Sequence, residues 1–129
     1  MPKLIRPDFS EYVVHFTRDE IPKSTGSLSA KDRLFQILAE CCVKASVMAW
    51  TNRSAVCFTE CTWASLLDHA NRYSRYGLGF SKAYLFRHGG APAIYLPPGL
   101  MEHQKRHVGT GKQPFDPVLF SFVTPFCPP

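Results

Sequence analysis

The chain lacks the sequence features of several large protein classes. It contains no apolar run of about 18 residues, and its start, MPKLIRPDF, has no apolar segment of the kind a secretory signal needs. It also contains no Walker loop, no G-x-S-x-G motif and no G-x-G-x-x-G motif. These absences argue against a transmembrane helix, a nucleotide hydrolase, a serine hydrolase and a dehydrogenase. We expect a cytoplasmic protein that does not enter a membrane.

The cysteines are odd in number and lack the spacing of a metal site or a disulfide framework. No two of the five are arranged as C-x-x-C, so we expect reduced thiols and predict no metal site. The five are Cys41, Cys42, Cys57, Cys61 and Cys127.

Length and composition fit one globular domain spanning residues 1–129. Hydrophobic residues make up 45% of the 129 residues and charged residues 19%, which is enough apolar surface for a core. The net charge of +5 attracts polyanions, so nucleic acid is one partner to consider. The alternative is an ordinary solvated basic surface, and it is the interpretation we favour. The residues concerned are Arg87, Lys105, Arg106 and Lys112.

Two helices and several strands can be placed from capping and periodicity. Ser29, followed three residues later by Asp32, predicts a helix over 30–45. Thr62 predicts the start of a second helix that ends at Gly77. β-branched and aromatic runs predict strands, and Gly89-Gly90 predicts a hairpin turn. The strands are expected over 12–17, 55–59, 82–87, 91–96 and 118–123, with a short basic helix over 100–107. The pattern is typical of an α+β domain with a small mixed or antiparallel sheet and two main helices.

Polar side chains at the ends of two strands mark a candidate site. The first strand delivers His15 and Thr17, and the strand AVCFTE delivers Glu60. His15 either faces a ligand or is a half-buried histidine satisfied by backbone, and Thr17 could simply be a β-former. Among the aromatic residues, Phe80 and Tyr84 are expected in the core, whereas Tyr76 and Tyr95 are candidates for ligand contact. Gly77 removes side-chain bulk beside Tyr76, so a ligand could approach the backbone closely.

These motifs resemble a known family. HFT (15–17), CFTE (57–60), YSRYGLGFSK (73–82) and GGAPAIYLP (89–97) are together similar to the AbiGi family of abortive phage-resistance proteins, the antitoxin side of a bacterial defence pair. The HFT strand is also similar to the opening strand of ADP-ribosyltransferases of the DarT and diphtheria-toxin type. The AbiGi-like pattern continues into an acidic, arginine-rich segment, and the chain up to Pro129 contains no counterpart of it.

The resemblance implies an ADP-ribosyltransferase-like fold and an NAD-binding cleft. His15, Thr17, Tyr76, Gly77 and Tyr95 would hold NAD, and Glu60 would be the catalytic acid that stabilises an oxocarbenium ion. A competing interpretation makes Glu60 an acid favoured by the dipole of the helix beginning after Thr62. The function is then phage defence with an NAD-binding, transferase-like cleft. The alternative is a non-catalytic antitoxin or interaction module that binds a cognate toxin or a phage protein.

Overall fold

A computed structural model of the protein describes residues 9–20, 25–107 and 117–126. The chain divides into two compact units. Unit 1 comprises Met1–Val43 and Cys57–Gly89, and unit 2 comprises Lys44–Val56 and Gly90–Pro129. The expectation of a single domain stays a prediction.

Unit 1 is built on a three-stranded antiparallel sheet. Its central strand, β1 (Tyr12–Phe16), pairs on one side with β4 (Thr59–Glu60) and on the other with β5 (Gly77–Ser81). Because neighbouring side chains alternate across a strand, the β1–β5 register gives the sheet two distinct faces. The histidine face carries Val13, His15, Leu78 and Phe80, and the glycine face carries Val14, Phe16, Gly77 and Gly79.

Helix α1 (Ala30–Glu40) begins where the capping pattern predicts. The Ser29 side chain accepts from the Asp32 amide, Asp32 accepts from the Ser29 amide, and Asp19 accepts from the Ala30 amide at 2.7 Å. The expected end at residue 45 is wrong. Cys41 takes a left-handed conformation with φ of 50°.

This left-handed residue explains why α1 stops five residues early. The Cys42 amide donates to the Ile37 carbonyl, one residue further back than a helical bond, which is a Schellman-type stop. The end of α1 buries little apolar surface, since Leu38 is 51% exposed and Cys41 and Cys42 are exposed. Ala30 is the buried residue of this helix.

The second predicted helix is shorter than expected and has two parts. Thr62 does cap it, accepting from the Ser65 amide, but the first turn is a 3-10 helix (Trp63–Ser65) that continues into α2 (Leu66–Arg72). Gly77 does not stop this helix: it is the first residue of β5, and the left-handed glycines in the described ranges are Gly26 and Gly89.

The region after α2 differs from the sequence prediction at two places. The glycine-punctuated stretch at 77–81 is a strand, because β1 supplies a hydrogen-bonding partner along its whole length. The predicted strand at 82–87 is instead helix α3 (Lys82–Arg87), which Ser81 caps by accepting from the Tyr84 amide. Gly89, with φ of 87°, follows a helix and does not form a β-hairpin.

The described part of unit 2 contains two separate strand pairs and two helices. Strands β2 (Ser46–Met48) and β3 (Arg53–Ala55) form an antiparallel pair, so the predicted strand at 55–59 is two shorter ones, β3 and β4. Strands β6 (Ile94–Leu96) and β7 (Val123–Pro125) pair in parallel. The helices are α4 (Pro98–His107) and α5 (Pro117–Phe120).

The last predicted strand, at 118–123, is therefore wrong except at its last residue, because α5 reaches Phe120 and β7 begins only at Val123. Pro125, which has no backbone N–H, ends β7 opposite Leu96. The strand pair needs no N–H group from Pro125, because the amide of the next residue, Phe126, donates to the Leu96 carbonyl at 2.7 Å.

The core of unit 2 joins its parallel strands to both helices. Leu96, Met101, Phe120 and Val123 are buried against one another, with Trp50 and Ile94 packed on them. Trp50 also donates from Nε1 to the Val123 carbonyl at 2.9 Å. The α+β class is thus confirmed, and the short strands of the described residues form three small sheets where one was expected.

Candidate functional site

His15 lies half-buried on the histidine face of the unit 1 sheet. Its Nδ1 is 2.9 Å from the carbonyl of Cys57, and its ring meets the edge of Phe58 at 5.8 Å between centroids. Because a carbonyl only accepts, Nδ1 carries the proton, and in the neutral ring Nε2 is an acceptor. The imidazole is therefore held in one tautomer, which equips it to accept a hydrogen bond from a hydroxyl or an amide.

Thr17 and Tyr76 meet beyond the end of the β1–β5 ladder. The Thr17 amide donates to the Tyr76 carbonyl at 3.0 Å, and Gly77 is the partner of Phe16. The structure thus brings four of the predicted NAD-binding residues to one end of one strand pair. They are His15, Thr17, Tyr76 and Gly77.

The side chains of this group differ in what they offer to a ligand. Thr17 is 4% exposed, and its hydroxyl donates to the Ala30 carbonyl at 2.6 Å, so it ties β1 to the start of α1. Tyr76 is 39% exposed and reaches solvent. Tyr95, the fifth predicted residue, is 65% exposed on β6 and belongs to unit 2.

Glu60 lies on β4 and is engaged by a cation. Its carboxylate is 2.7 Å from Lys82 Nζ and accepts from the Ser10 amide at 2.9 Å. Lys82 also stands 4.3 Å over the ring of Phe9. The carboxylate thus ties together the segment before β1, the strand β4 and the start of α3. Glu60 precedes the Thr62 cap by two residues, and these contacts lie outside the helix that follows.

A row of rings runs along the histidine face, and the sequence interpretation missed it. Successive centroids lie 5.8, 5.6, 6.0 and 4.2 Å apart. The ring row consists of His15, Phe58, Phe80, Tyr84 and His88.

The two ends of the ring row are alike. His88 Nδ1 donates to the Tyr84 carbonyl at 2.8 Å, so both terminal imidazoles are held by backbone carbonyls. Phe80 is half-buried as expected, whereas Tyr84, expected in the core, is 46% exposed. The row was not visible in the sequence because it depends on recognising 77–81 as a strand and 82–87 as a helix.

A second group of rings lies on the glycine face. Phe16 stacks on Tyr73 at 5.4 Å, His69 stacks on Tyr73 at 6.0 Å, and the Arg18 guanidinium stands 4.6 Å over the Tyr73 ring. This group docks the end of α2 onto β1.

Among the described residues of unit 1, the most exposed apolar side chains follow the Thr62 cap. Trp63 is 92% exposed, Leu67 is 77% exposed, and Leu66 beside them is 38% exposed. Positions 63, 66 and 67 are neighbours on a helical surface, so these side chains form one apolar patch. We call Trp63, Leu66 and Leu67 the tryptophan patch.

The other sequence expectations fall in different places. Arg87 belongs to unit 1 and Arg106 to unit 2, while Lys112 lies outside the described residues.

Burial raises the pKa of the Cys61 thiol above its usual range. In the ranges that the structure describes, no three His, Cys, Asp or Glu side chains are grouped to hold a metal ion. Those same ranges hold no helix with the length and apolar character to cross a membrane.

Comparison with known proteins returns no relative. No family model, no curated protein and no solved structure matches the chain significantly.

Proposed function

We propose that the protein is a non-catalytic interaction module of a bacterial phage-defence pair, which binds a cognate toxin or a phage protein through the tryptophan patch. The observation that carries the binding role is the 92% exposure of Trp63 next to Leu67. Tryptophan is the residue type most enriched among the side chains that dominate binding energy in interfaces. The defence context rests on the resemblance of the HFT, CFTE, YSRYGLGFSK and GGAPAIYLP motifs to the AbiGi family.

The environment of Glu60 favours binding over catalysis. A carboxylate that stabilises a developing positive charge has to face the reacting carbon. In this chain the Glu60 carboxylate instead faces Lys82 and the Ser10 amide. The ion pair gives Glu60 a structural role that needs no substrate.

The test uses the product of the neighbouring gene as the partner. Trp63→Ala combined with Leu67→Ala should weaken the complex at least about tenfold, because buried aromatic anchors carry most of the energy of an interface. Phe35→Ala is the matched control, since Phe35 is also exposed, at 59%, but lies on α1. Both variants should keep the wild-type melting temperature. Equal affinity of the patch variant and the wild type would show the proposal wrong.

Fluorescence gives a second readout of the same complex. Trp63 emits from a water-exposed site and should shift to the blue when a partner covers it, and Trp63→Phe should remove that shift. A complex that leaves the Trp63 emission unchanged would place the partner elsewhere.

The second candidate is an NAD-binding module with an ADP-ribosyltransferase-like fold. The observation that favours it is the convergence of His15, Thr17, Tyr76 and Gly77 at one end of the β1–β5 pair. His15 Nε2 could accept from a ribose hydroxyl or a carboxamide, and the Tyr76 ring could cover a planar group.

Calorimetric titration with NAD separates the two candidates. NAD binding that is lost in His15→Ala and kept in Tyr95→Ala would favour the transferase-like candidate. The absence of heat at millimolar NAD with wild type would remove it. Should NAD bind, Glu60→Gln tests catalysis, because the amide cannot stabilise an oxocarbenium ion and NAD turnover should stop.

A further inference from the structure

Strand β5 is an edge strand whose free side offers backbone hydrogen bonds. Among the residues that the structure describes, the sheet order is β4-β1-β5, so β5 pairs there with β1 on one side only. The Thr17 amide donates to the Tyr76 carbonyl and the Lys82 amide to the Glu11 carbonyl. In an antiparallel pair every second residue turns its backbone groups towards the partner strand, so Leu78 and Phe80 also bond to β1.

The remaining residues of β5 therefore turn their backbone groups outward. These are Gly77, Gly79 and Ser81. Gly79 is exposed, and an added Cβ there would meet only the Val13 carbonyl oxygen, at 4.0 Å. The glycine face is therefore open above Gly79, and Ser81 carries the β5 side chain on that face.

The two edges of this sheet differ in how they are protected. Natural proteins keep edge strands from pairing by making them short or by placing charge or proline on them. The β4 edge has both short length and a charge, because it consists of Thr59 and Glu60. The β5 edge, with the sequence GLGFS, has neither charge nor proline.

We propose that β5 pairs with the β5 strand of a second copy of this chain, in antiparallel register about a two-fold axis through Gly79. In that register Gly79 faces Gly79 and Gly77 faces Ser81 of the second copy. The outward N–H and C=O groups of one β5 strand then face those of the other, which gives about six backbone hydrogen bonds. The contact is isologous and closes as a dimer with a continuous six-stranded sheet.

The side chains of β5 are complementary in this register. On the histidine face, Leu78 of each copy stands opposite Phe80 of the other, which makes two aliphatic–aromatic cross-strand pairs. On the glycine face, Gly77, Gly79 and Ser81 are small enough for close approach. The charge next to β5 in sequence, Lys82, is paired with Glu60 at 2.7 Å, which reduces its repulsion of a second copy. These features favour a second copy over a strand of unrelated sequence.

Sedimentation equilibrium from micromolar to millimolar concentration tests the proposal. The wild-type chain should show a reversible monomer–dimer equilibrium. Gly79→Pro removes an outward donor and leaves the bonds to β1 intact, so it should weaken the dimer at least about tenfold. Gly79→Lys should also weaken it, because like charges then face each other on the two-fold axis. Gly79→Ala keeps the donor and is the matched control that should retain the dimer.

Register and folding are checked independently. Residues facing each other in a hydrogen-bonded antiparallel pair have Cα atoms about 5.5 Å apart, which is within disulfide range. Oxidised Gly79→Cys should therefore yield a dimer linked through peptide 76–82, identified by mass spectrometry and reversed by reduction. Circular dichroism must show Gly79→Lys folded. A monomer at every concentration would overturn the proposal, as would equal dimerisation of a folded Gly79→Lys or a linkage at other positions.

Discussion

The two units of this chain are stabilised in different ways. Unit 2 buries a compact apolar cluster around Phe120 and Val123, each 2% exposed. Unit 1 has ladder hydrogen bonds, stacked rings and a capped helix, and its buried residues in the described ranges are Thr17 and Ala30. A unit stabilised by apolar burial is sensitive to substitutions that make a core side chain smaller. A unit stabilised by close backbone packing and polar bonds is instead sensitive to added side-chain atoms and to the removal of a hydrogen-bond partner.

The largest expected effect is in the unit 2 core. Phe120→Ala should lower the free energy of unfolding by about 3–5 kcal/mol, because it removes a buried ring and leaves a cavity. Val118→Ala is the control on the same helix, since Val118 is 68% exposed and should tolerate truncation. Urea denaturation measures both. An equal decrease in the free energy of unfolding in the two variants would contradict the assignment of Phe120 to the core.

The next effect distinguishes two glycines of one strand. A Cβ at Gly77 would lie 2.7 Å from Val14 Cγ1 and 3.2 Å from the His15 carbonyl oxygen. Gly77→Ala should therefore cost about 1–3 kcal/mol through overpacking. Gly79→Ala adds the same methyl group two residues along and on the same face, where the nearest atom is 4.0 Å away. It should be neutral or slightly stabilising, and similar melting temperatures for both variants would show the close packing at Gly77 to be wrong.

These glycines also show what could and could not be predicted from sequence. The helix starts at Ser29 and Thr62 were predicted because a cap and its partner amide lie within three residues. Strand β5 was missed because its partner, β1, lies far away in the chain, and its glycines locally favour a loop. The same error hid the ring row, whose geometry requires Phe80 on a strand and Tyr84 on a helix. The HFT and YSRYGLGFSK motifs did group His15, Thr17, Tyr76 and Gly77, and the structure places these residues at one end of the β1–β5 pair; that they bind NAD stays a prediction.

A smaller effect concerns the bond between β1 and α1. Thr17→Val keeps the shape of the side chain but removes the hydroxyl that donates to the Ala30 carbonyl at 2.6 Å, so it should cost about 1 kcal/mol. Thr17→Ser keeps the donor and is the control for this bond. If the protein binds NAD, Thr17→Val should change the NAD affinity only where it also changes the melting temperature, because the Thr17 hydroxyl is buried. A change in NAD affinity without a change in melting temperature would instead give Thr17 a direct role in binding.

The smallest effect is a pH dependence at the start of α1. Hydrogen bonds from the Ser29 side chain and backbone hold the pKa of Asp32 below its usual value of 3.8, and Lys31 adds to this. A carboxyl with a lowered folded-state pKa stabilises the fold above its unfolded-state pKa, and this contribution is lost as the pH falls through the folded-state value. Asp32→Asn should therefore melt below wild type at neutral pH, and the difference should shrink once the pH falls below 3.8. Asp68→Asn, at an exposed acid on α2, is the control. A difference between Asp32→Asn and wild type that stays constant across this pH range would show that the charge of Asp32 does not support the helix start.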